Sequence, residues 1–349
     1  MPRPVFHAYC LAAALAGACV APPLRAAEAP LSPGVFRIRG MPYDAFDRLP
    51  ARRLTVGDAT LDVAVAPGIE LGLAPELVLG WVYASARAVA DYYGRFPVAR
   101  ARVLIVPTEG ARVRGGAAYG HFGAAVRVAI GRNTPAAGVR RDWVMAHEIV
   151  HLGFPAIAER HHWIEEGLAT YVEPVARAQA GLLMPEEVWA DLMQGLPKGL
   201  PRASDSSDSS DASDASDKGL DYTRDWNRTY WGGALYWLLA DIEIRSRSGN
   251  RFGLARALRG IVDAGGTIEV DNWPIEKVLA IGDAATGTPV LSEIYHRMNA
   301  APARTDLDDL WRRLGVTLDG GAVRFDDTAP LADIRRAITR GSERMAAHD

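Results

Sequence analysis

The chain has 349 residues, 49% of them apolar, which is ample for a core and, at the usual domain size, enough for two domains. The formal net charge is −3, and Lys198, Lys218 and Lys277 are the only lysines. With no cluster of basic residues to track phosphates, a nucleic-acid partner is excluded.

Residues 1–27 have the layout of a secretory signal peptide: Arg3, an apolar run over residues 8–20, and small residues at Ala26 and Ala27. That run is too short to span a bilayer, and no transmembrane segment is expected in the mature chain. Both cysteines, Cys10 and Cys19, fall inside it, so a metal site in the mature protein must use His and carboxylate ligands. Ala16-Gly17-Ala18 before Cys19 is an incomplete lipoprotein signal. Export to the periplasm or beyond as a soluble protein is therefore expected over lipid anchoring.

Residues 35–39 and 61–65 alternate apolar and polar side chains, the period of half-buried strands. Pro75-Glu76 opens a helix in which Leu77, Val78, Trp81, Ala88, Val89 and Tyr92 recur at helical spacing, and Gly94 with Pro97 ends it. Residues 103–106 and 124–130 read as strands around a Gly-rich stretch, residues 115–123. Phosphate binding is a poor reading of those glycines, because no helix follows and the required Lys and Ser/Thr are missing. Two readings remain. One is an ordinary hairpin. The other is an edge strand beside a metal, in which Gly116, Ala117, Ala118 and Tyr119 would bind substrate by adding an extended peptide as a further strand.

A helix over residues 140–154 and a returning helix over residues 163–180 come next, and they carry the chemistry. His147-Glu148-Ile149-Val150-His151 places two imidazoles four residues apart, one above the other on a helix face, where they can share one Zn²⁺. Glu148 sits one step around, within reach of a water on that metal, as a general base. Catalytic zinc needs a third protein ligand. A histidine six residues past His151 is ruled out, since that position is Ile157, whereas Glu166 would be brought under the histidines if Phe154-Pro155 ends the first helix and the second returns antiparallel.

These residues resemble the gluzincin metallopeptidases, in particular the aminopeptidase N and glycyl aminopeptidase families, whose His-Glu-x-x-His and Trp-x-x-Glu-Gly-x-Ala are matched by His147 to His151 and Trp163 to Ala169. The resemblance implies His147, His151 and Glu166 as zinc ligands, Glu148 as base, and Glu166 in preference to Glu165. Tyr230-Trp231-Gly232-Gly233-Ala234 is similar to the families' Tyr-x-x-Gly-Ala, which nominates Tyr230 as the donor to a tetrahedral oxyanion; the alternative is a packed core aromatic. The acid that holds a substrate's amino group in aminopeptidase N enzymes has no counterpart in residues 116–120, so exopeptidase specificity does not carry over. Glu173, seven residues after Glu166, is a candidate acceptor for the free ring N–H of a zinc-bound histidine, or else a surface charge. His161 and His162 read as solvated loop histidines.

Residues 203–219 form a Ser/Asp-rich stretch with Asp205, Asp208, Asp211, Asp214 and Asp217 at every third position and no apolar residue larger than alanine, the composition of a disordered loop. Beyond it, residues 229–247 should be helical despite Gly232 and Gly233, each costing about 1 kcal/mol against alanine, which suggests a close backbone approach there. Helical segments follow at residues 254–264, 290–298 and 307–314, then a short strand at 323–325 and a last helix at 331–340.

The fold expected is α+β: a thermolysin-like gluzincin lobe with a small mixed sheet over residues 31–200, and a mainly helical lobe over residues 220–349. The function expected is an exported zinc metallopeptidase acting on peptide or protein substrates. The rivals are a catalytically silent zinc-binding envelope protein that holds peptides or a partner, and a non-peptide amidase.

Overall fold

Five strands build one mixed sheet: β1 (Arg52–Val56), β2 (Ala59–Val65), β3 (Arg100–Thr108), β4 (Val113–Tyr119) and β5 (Ala125–Gly131), in the order β1-β2-β3-β5-β4. β2, β3 and β5 run parallel, and β1 and β4 close the two edges antiparallel to their neighbours. The centre is the most apolar part, as a doubly covered strand pair requires: Val103, Leu104, Ile105, Val126, Val128 and Ile130 are wholly buried. β4 is poor in side chains and forms a hairpin with β5 at an edge of the sheet, so residues 115–119 of the Gly-rich stretch are both a hairpin arm and an edge strand.

The computed structural model describes residues 31–36, 40–201, 218–302 and 304–340. The expected signal peptide and residues 203–217 of the Ser/Asp-rich stretch lie outside the described residues. No helix among the described residues is long and apolar enough to cross a membrane.

After a one-turn helix α1 (Tyr43–Phe46), α2 (Pro75–Tyr93) makes the crossover between β2 and β3. Pro75 sits in its first turn, and Gly94 ends it at φ +80°, a left-handed cap that costs glycine little. The helices α3 (Ala136–Arg141) and α4 (Val144–His151) then replace the single helix expected over residues 140–154. Asp142 is extended between them, and its carboxylate accepts the Val144 N–H at 2.8 Å, which starts a new helix at that point. α5 (His162–Gln179) returns beneath α4, and α6 (Pro185–Gly195), α7 (Gly233–Ser248), α8 (Leu254–Asp263), α9 (Ile275–Thr286), α10 (Val290–Met298), α11 (Leu307–Leu314) and α12 (Ala332–Thr339) follow, with a hairpin of β6 (Val316–Asp319) and β7 (Ala322–Phe325) before the last. A wide π-type turn, Arg228–Gly232, leads into α7.

Residues 35–36, expected to begin a strand, lie instead in a 3₁₀ turn, Pro33–Phe36, and residues 37–39 lie outside the described residues. Pro33-Gly34 favours a turn, and the Phe36 carbonyl is taken by the Arg127 guanidinium at 3.1 Å, not by a neighbouring strand.

The described residues from Pro33 onward form one compact unit, and one hydrophobic core runs from the sheet through α2, α4 and α5 to α11. Trp163, Trp189 and Trp237 are among its largest wholly buried side chains. Several polar groups that go under with them are paired: Trp237 Nε1 donates to the Ile164 carbonyl at 2.8 Å, and Asp241 accepts from the Tyr171 hydroxyl, Arg245 Nε and the Leu254 N–H at 2.8–2.9 Å. These bonds lash α7 and the start of α8 to α5, the helix that carries Glu166.

Candidate metal centre

His147 and His151 project from the buried face of α4, their ring centroids 5.0 Å apart, and Glu166 rises to them from the first turns of α5. One Glu166 oxygen, Oε2, lies 3.3 Å from His147 Nε2 and 3.8 Å from His151 Nε2. Ligand atoms of the three residues fall within 4.8 Å of one another, the one such cluster of metal-binding groups among the described residues. Two ligands at about 2.05 Å on a tetrahedral zinc stand about 3.3 Å apart, so this donor set fits the ion. Two neutral nitrogens and one carboxylate oxygen are also the ligand chemistry zinc prefers.

Charge at the cluster supports ligand duty. Burial and the charge of His147 push the His151 imidazole down to about 4, which keeps it neutral with a free lone pair. Burial works to raise Glu166, but the hydrogen bond with His147 and the charges of His151, His147 and His162 outweigh it and hold the carboxyl down at about 2. Glu148 moves the other way: burial, reinforced by the charge of Glu166, lifts it to about 8. Two carboxylates side by side are thus driven apart in proton affinity, Glu166 held as an anion fit to coordinate and Glu148 left as the one that exchanges a proton.

Gly116 of β4 faces Glu148 so closely that an added Cβ would stand 2.6 Å from the Glu148 Cγ. Glycine is required there by space. Gly116, Ala117 and Ala118 line a cavity of about 420 Å³ together with Glu148, His151 and Glu166; Tyr119, at the end of β4, does not line it. Tyr230, in the π-type turn, stacks on His147 with centroids 6.2 Å apart and planes 14° from parallel. Its ring is half-buried instead of lost in the core, and burial, the charge of Glu166 and a hydrogen bond to it raise the phenol well above its ordinary value. On its other side a cavity of about 720 Å³ opens, bordered by His147, Tyr230 and the exposed indoles of Trp143 and Trp226.

Three expectations from sequence do not match these positions. Glu173 is buried, but its carboxylate is engaged by Arg177 Nη1 at 2.5 Å, one helical turn along α5, and not by either histidine of α4. His161 is buried, not solvated: its Nδ1 lies 2.9 Å from Asp221, which also accepts from Trp163 Nε1 at 2.7 Å and the Tyr295 hydroxyl at 3.1 Å. His162 reaches back along α5, with Nε2 3.4 Å from Glu166 Oε1 and Nδ1 3.3 Å from Glu165 Oε2. It steadies the Glu166 oxygen that does not face the α4 histidines, a role legible in the four-residue spacing of His162 and Glu166 on one helix. Glu165 accepts the Ile157 N–H at 3.3 Å and stands outside the cluster.

No family model and no curated protein matches the sequence. Solved structures do. An aminopeptidase N family protein from Idiomarina loihiensis is similar with a TM-score of 0.56 at 12% identity, over 78% of this chain and 50% of that one. An M1 zinc metallopeptidase from Deinococcus radiodurans aligns with a TM-score of 0.48 at 17% identity, over 74% of this chain and 53% of that one. Native yeast LTA4 hydrolase aligns at 0.41 and 12%, over 76% and 43%. This chain therefore spans about half the length of the proteins it matches. Its fold is that of the aminopeptidase N family protein, α+β with a small mixed sheet and a helical C-terminal part, and it resembles the gluzincin metallopeptidases.

Proposed function

We propose that the protein is an exported zinc-dependent peptidase. The observation that carries the reading is the convergence of His147, His151 and Glu166 beside a buried carboxyl group, Glu148, that lines the same cavity. A zinc ion held by the three ligands would polarise the scissile carbonyl and lower the pKa of a water from about 15.7 to about 7. Glu148 takes a proton from the attacking water and delivers it to the departing amine nitrogen, a task suited to a group poised near neutrality. Tyr230, with its proton held firmly, donates to the carbonyl oxygen as negative charge grows there. The Gly116 to Ala118 backbone on the edge strand offers ladder hydrogen bonds to an extended substrate. The apolar run in residues 8–20 supports an exported setting.

The test is incubation of the zinc-loaded protein with a mixed peptide library, with and without a chelator, read by mass spectrometry. Cleavage that the chelator abolishes and added zinc restores is expected. Peptides retained but uncut would favour the silent zinc-binding protein, and no action on peptides together with release from amide-linked cell-wall fragments would favour the amidase.

A further inference from the structure

An enzyme that trims one residue at a time from an N-terminus must hold the substrate's ammonium two bonds, about 2.5 Å, from the scissile carbonyl carbon, because both belong to the same residue. That places the ammonium against the wall next to Glu148, where a desolvated cation needs a carboxylate partner. The wall there is Gly116, Ala117 and Ala118, and space forbids anything larger than glycine at the position facing Glu148. Among the described residues, the carboxylates lining this cavity besides Glu148 and Glu166 are Glu165 and Asp271. Glu165 is occupied by the Ile157 N–H and His162. The Asp271 side chain is 59% exposed, with the His121 ring as its neighbour at 3.7 Å, so it stands in water.

The cleft also continues on both sides of the cluster. The smaller cavity follows β4, which pairs only with β5 among the described residues and so leaves its outer row of N–H and C=O groups to an added strand. An added strand needs several substrate residues on that side, not one. The larger cavity meets the smaller at His147 and Tyr230, and its rim carries Trp143 and Trp226, 49% and 70% exposed. Exposed indoles beside a deep cavity are costly to leave wet and are the side chains most often used to grip a partner.

We infer that the cleft takes a polypeptide running past the cluster in both directions, so that the hydrolase cuts inside chains and does not depend on a free N-terminus. The inference rests on the peptidase reading above, and its substrate class is an unfolded or extended polypeptide segment with a bulky apolar side chain for the Trp143 and Trp226 cavity.

The experiment uses two peptides of identical sequence, long enough to fill both cavities and with Phe and Leu near the middle, one with free termini and one N-acetylated and C-amidated. Products of the zinc-loaded protein are mapped by mass spectrometry. Binding is read independently with zinc-loaded Glu148→Gln protein from the change in total tryptophan emission, to which the exposed Trp143 and Trp226 contribute. Expected are internal cuts in both peptides and Kd values within about threefold of each other. Stepwise shortening of the free peptide alone, with binding more than about tenfold weaker for the blocked one, would overturn the inference and leave the peptidase reading intact. If neither peptide is cut or bound, the peptidase reading falls and the inference with it. Trp226→Ala should weaken binding of the Phe-containing peptide more than that of a Gly-substituted one; equal loss would count against the cavity as its seat.

Discussion

Gly167 of α5 and Gly233 of α7 meet backbone to backbone: a Cβ on Gly233 would stand 2.7 Å from the Gly167 Cα and would overlap the Trp163 carbonyl oxygen. Gly167 follows the candidate ligand Glu166, and Gly233 follows the turn that carries Tyr230, so this crossing sets the distance between that carboxylate and the phenol. Gly233→Ala should push the helices apart, costing about 1–3 kcal/mol as overpacking does and carrying Tyr230 out of register. The expected result is a lower urea midpoint together with a fall in kcat larger than any change in KM. A variant with unchanged midpoint and turnover would show that the contact is slack.

Gly116 makes a separate demand. An alanine Cβ there would meet the Glu148 Cγ at 2.6 Å and Oε1 at 2.9 Å, and its three nearest atoms all belong to Glu148, none to His147, His151 or Glu166. Gly116→Ala should therefore keep zinc at one equivalent per chain and lose about 10²-fold in turnover, the usual cost of displacing a catalytic group by an ångström. Metal analysis beside steady-state kinetics checks this, and loss of zinc along with activity would assign the damage to the fold.

Tyr230→Phe removes one hydroxyl and leaves the ring stacked on His147. If that hydroxyl serves the developing oxyanion, kcat should fall by about 10² to 10³ with KM little altered. Unchanged kcat would return Tyr230 to packing duty. Glu148→Gln should likewise retain zinc and lose turnover by about 10² to 10⁴.

The candidate metal cluster was legible because His147 and His151 lie one helical turn apart and Glu166 follows His151 on the next long helix, where period and spacing decide geometry. His147 and His151 need only a helix, and the return of Glu166 needs only a helix end between them. The edge position of β4 was legible for a similar reason, since side-chain-poor Gly116 to Ala118 suit an exposed strand beside a buried acid. What escaped depended on distant partners. His161 looks solvated until Asp221 and Tyr295, 60 and 134 positions away, close over it. Glu173 sits on the expected side of α5, but Arg177 one turn later captures it before any histidine does. Helix α6 left a signal that could have been read: Pro185 with Glu186 and Glu187 is a helix opening, and Val188, Trp189 and Leu192 bury at helical spacing. β1 left almost none, because Arg52 and Arg53 stay exposed and only its hairpin with β2 makes it a strand.

Asp62 gives a pH dependence with a definite sign. On β2 its carboxylate accepts from Arg53 Nε at 2.8 Å and Arg100 Nη2 at 2.6 Å, and the Arg53 bond, then the Arg100 bond, hold it below 3.8 against the effect of burial. A carboxyl lowered in the folded state stabilises the fold above its unfolded pKa, and that contribution fades as pH falls through the folded value. Asp62→Asn should therefore flatten the loss of stability below about pH 4 and cost about 1 kcal/mol or less at neutral pH, because both guanidinium groups are largely exposed. Urea midpoints measured from pH 7 down to pH 3 report it, and parallel curves for the two proteins would contradict it.

Arg177 and Glu173 test whether the buried pair under α5 serves the metal or the scaffold. Arg177 Nη2 also donates to the Arg141 carbonyl at 2.9 Å, at the end of α3 just before Asp142 starts α4, so the pair fastens α5 to the entry of the metal helix. Removing one partner strands a charge in the core, and Arg177→Met should cost about 3–5 kcal/mol; replacing both with methionine should recover most of that. A carboxylate that oriented a zinc-bound imidazole would instead show itself in metal affinity, with Glu173→Gln weakening zinc binding by about 10- to 100-fold. The geometry favours the scaffold, so Glu173→Gln should lower the denaturation midpoint while zinc affinity, measured by competition with a chromophoric chelator, stays within about threefold of the parent.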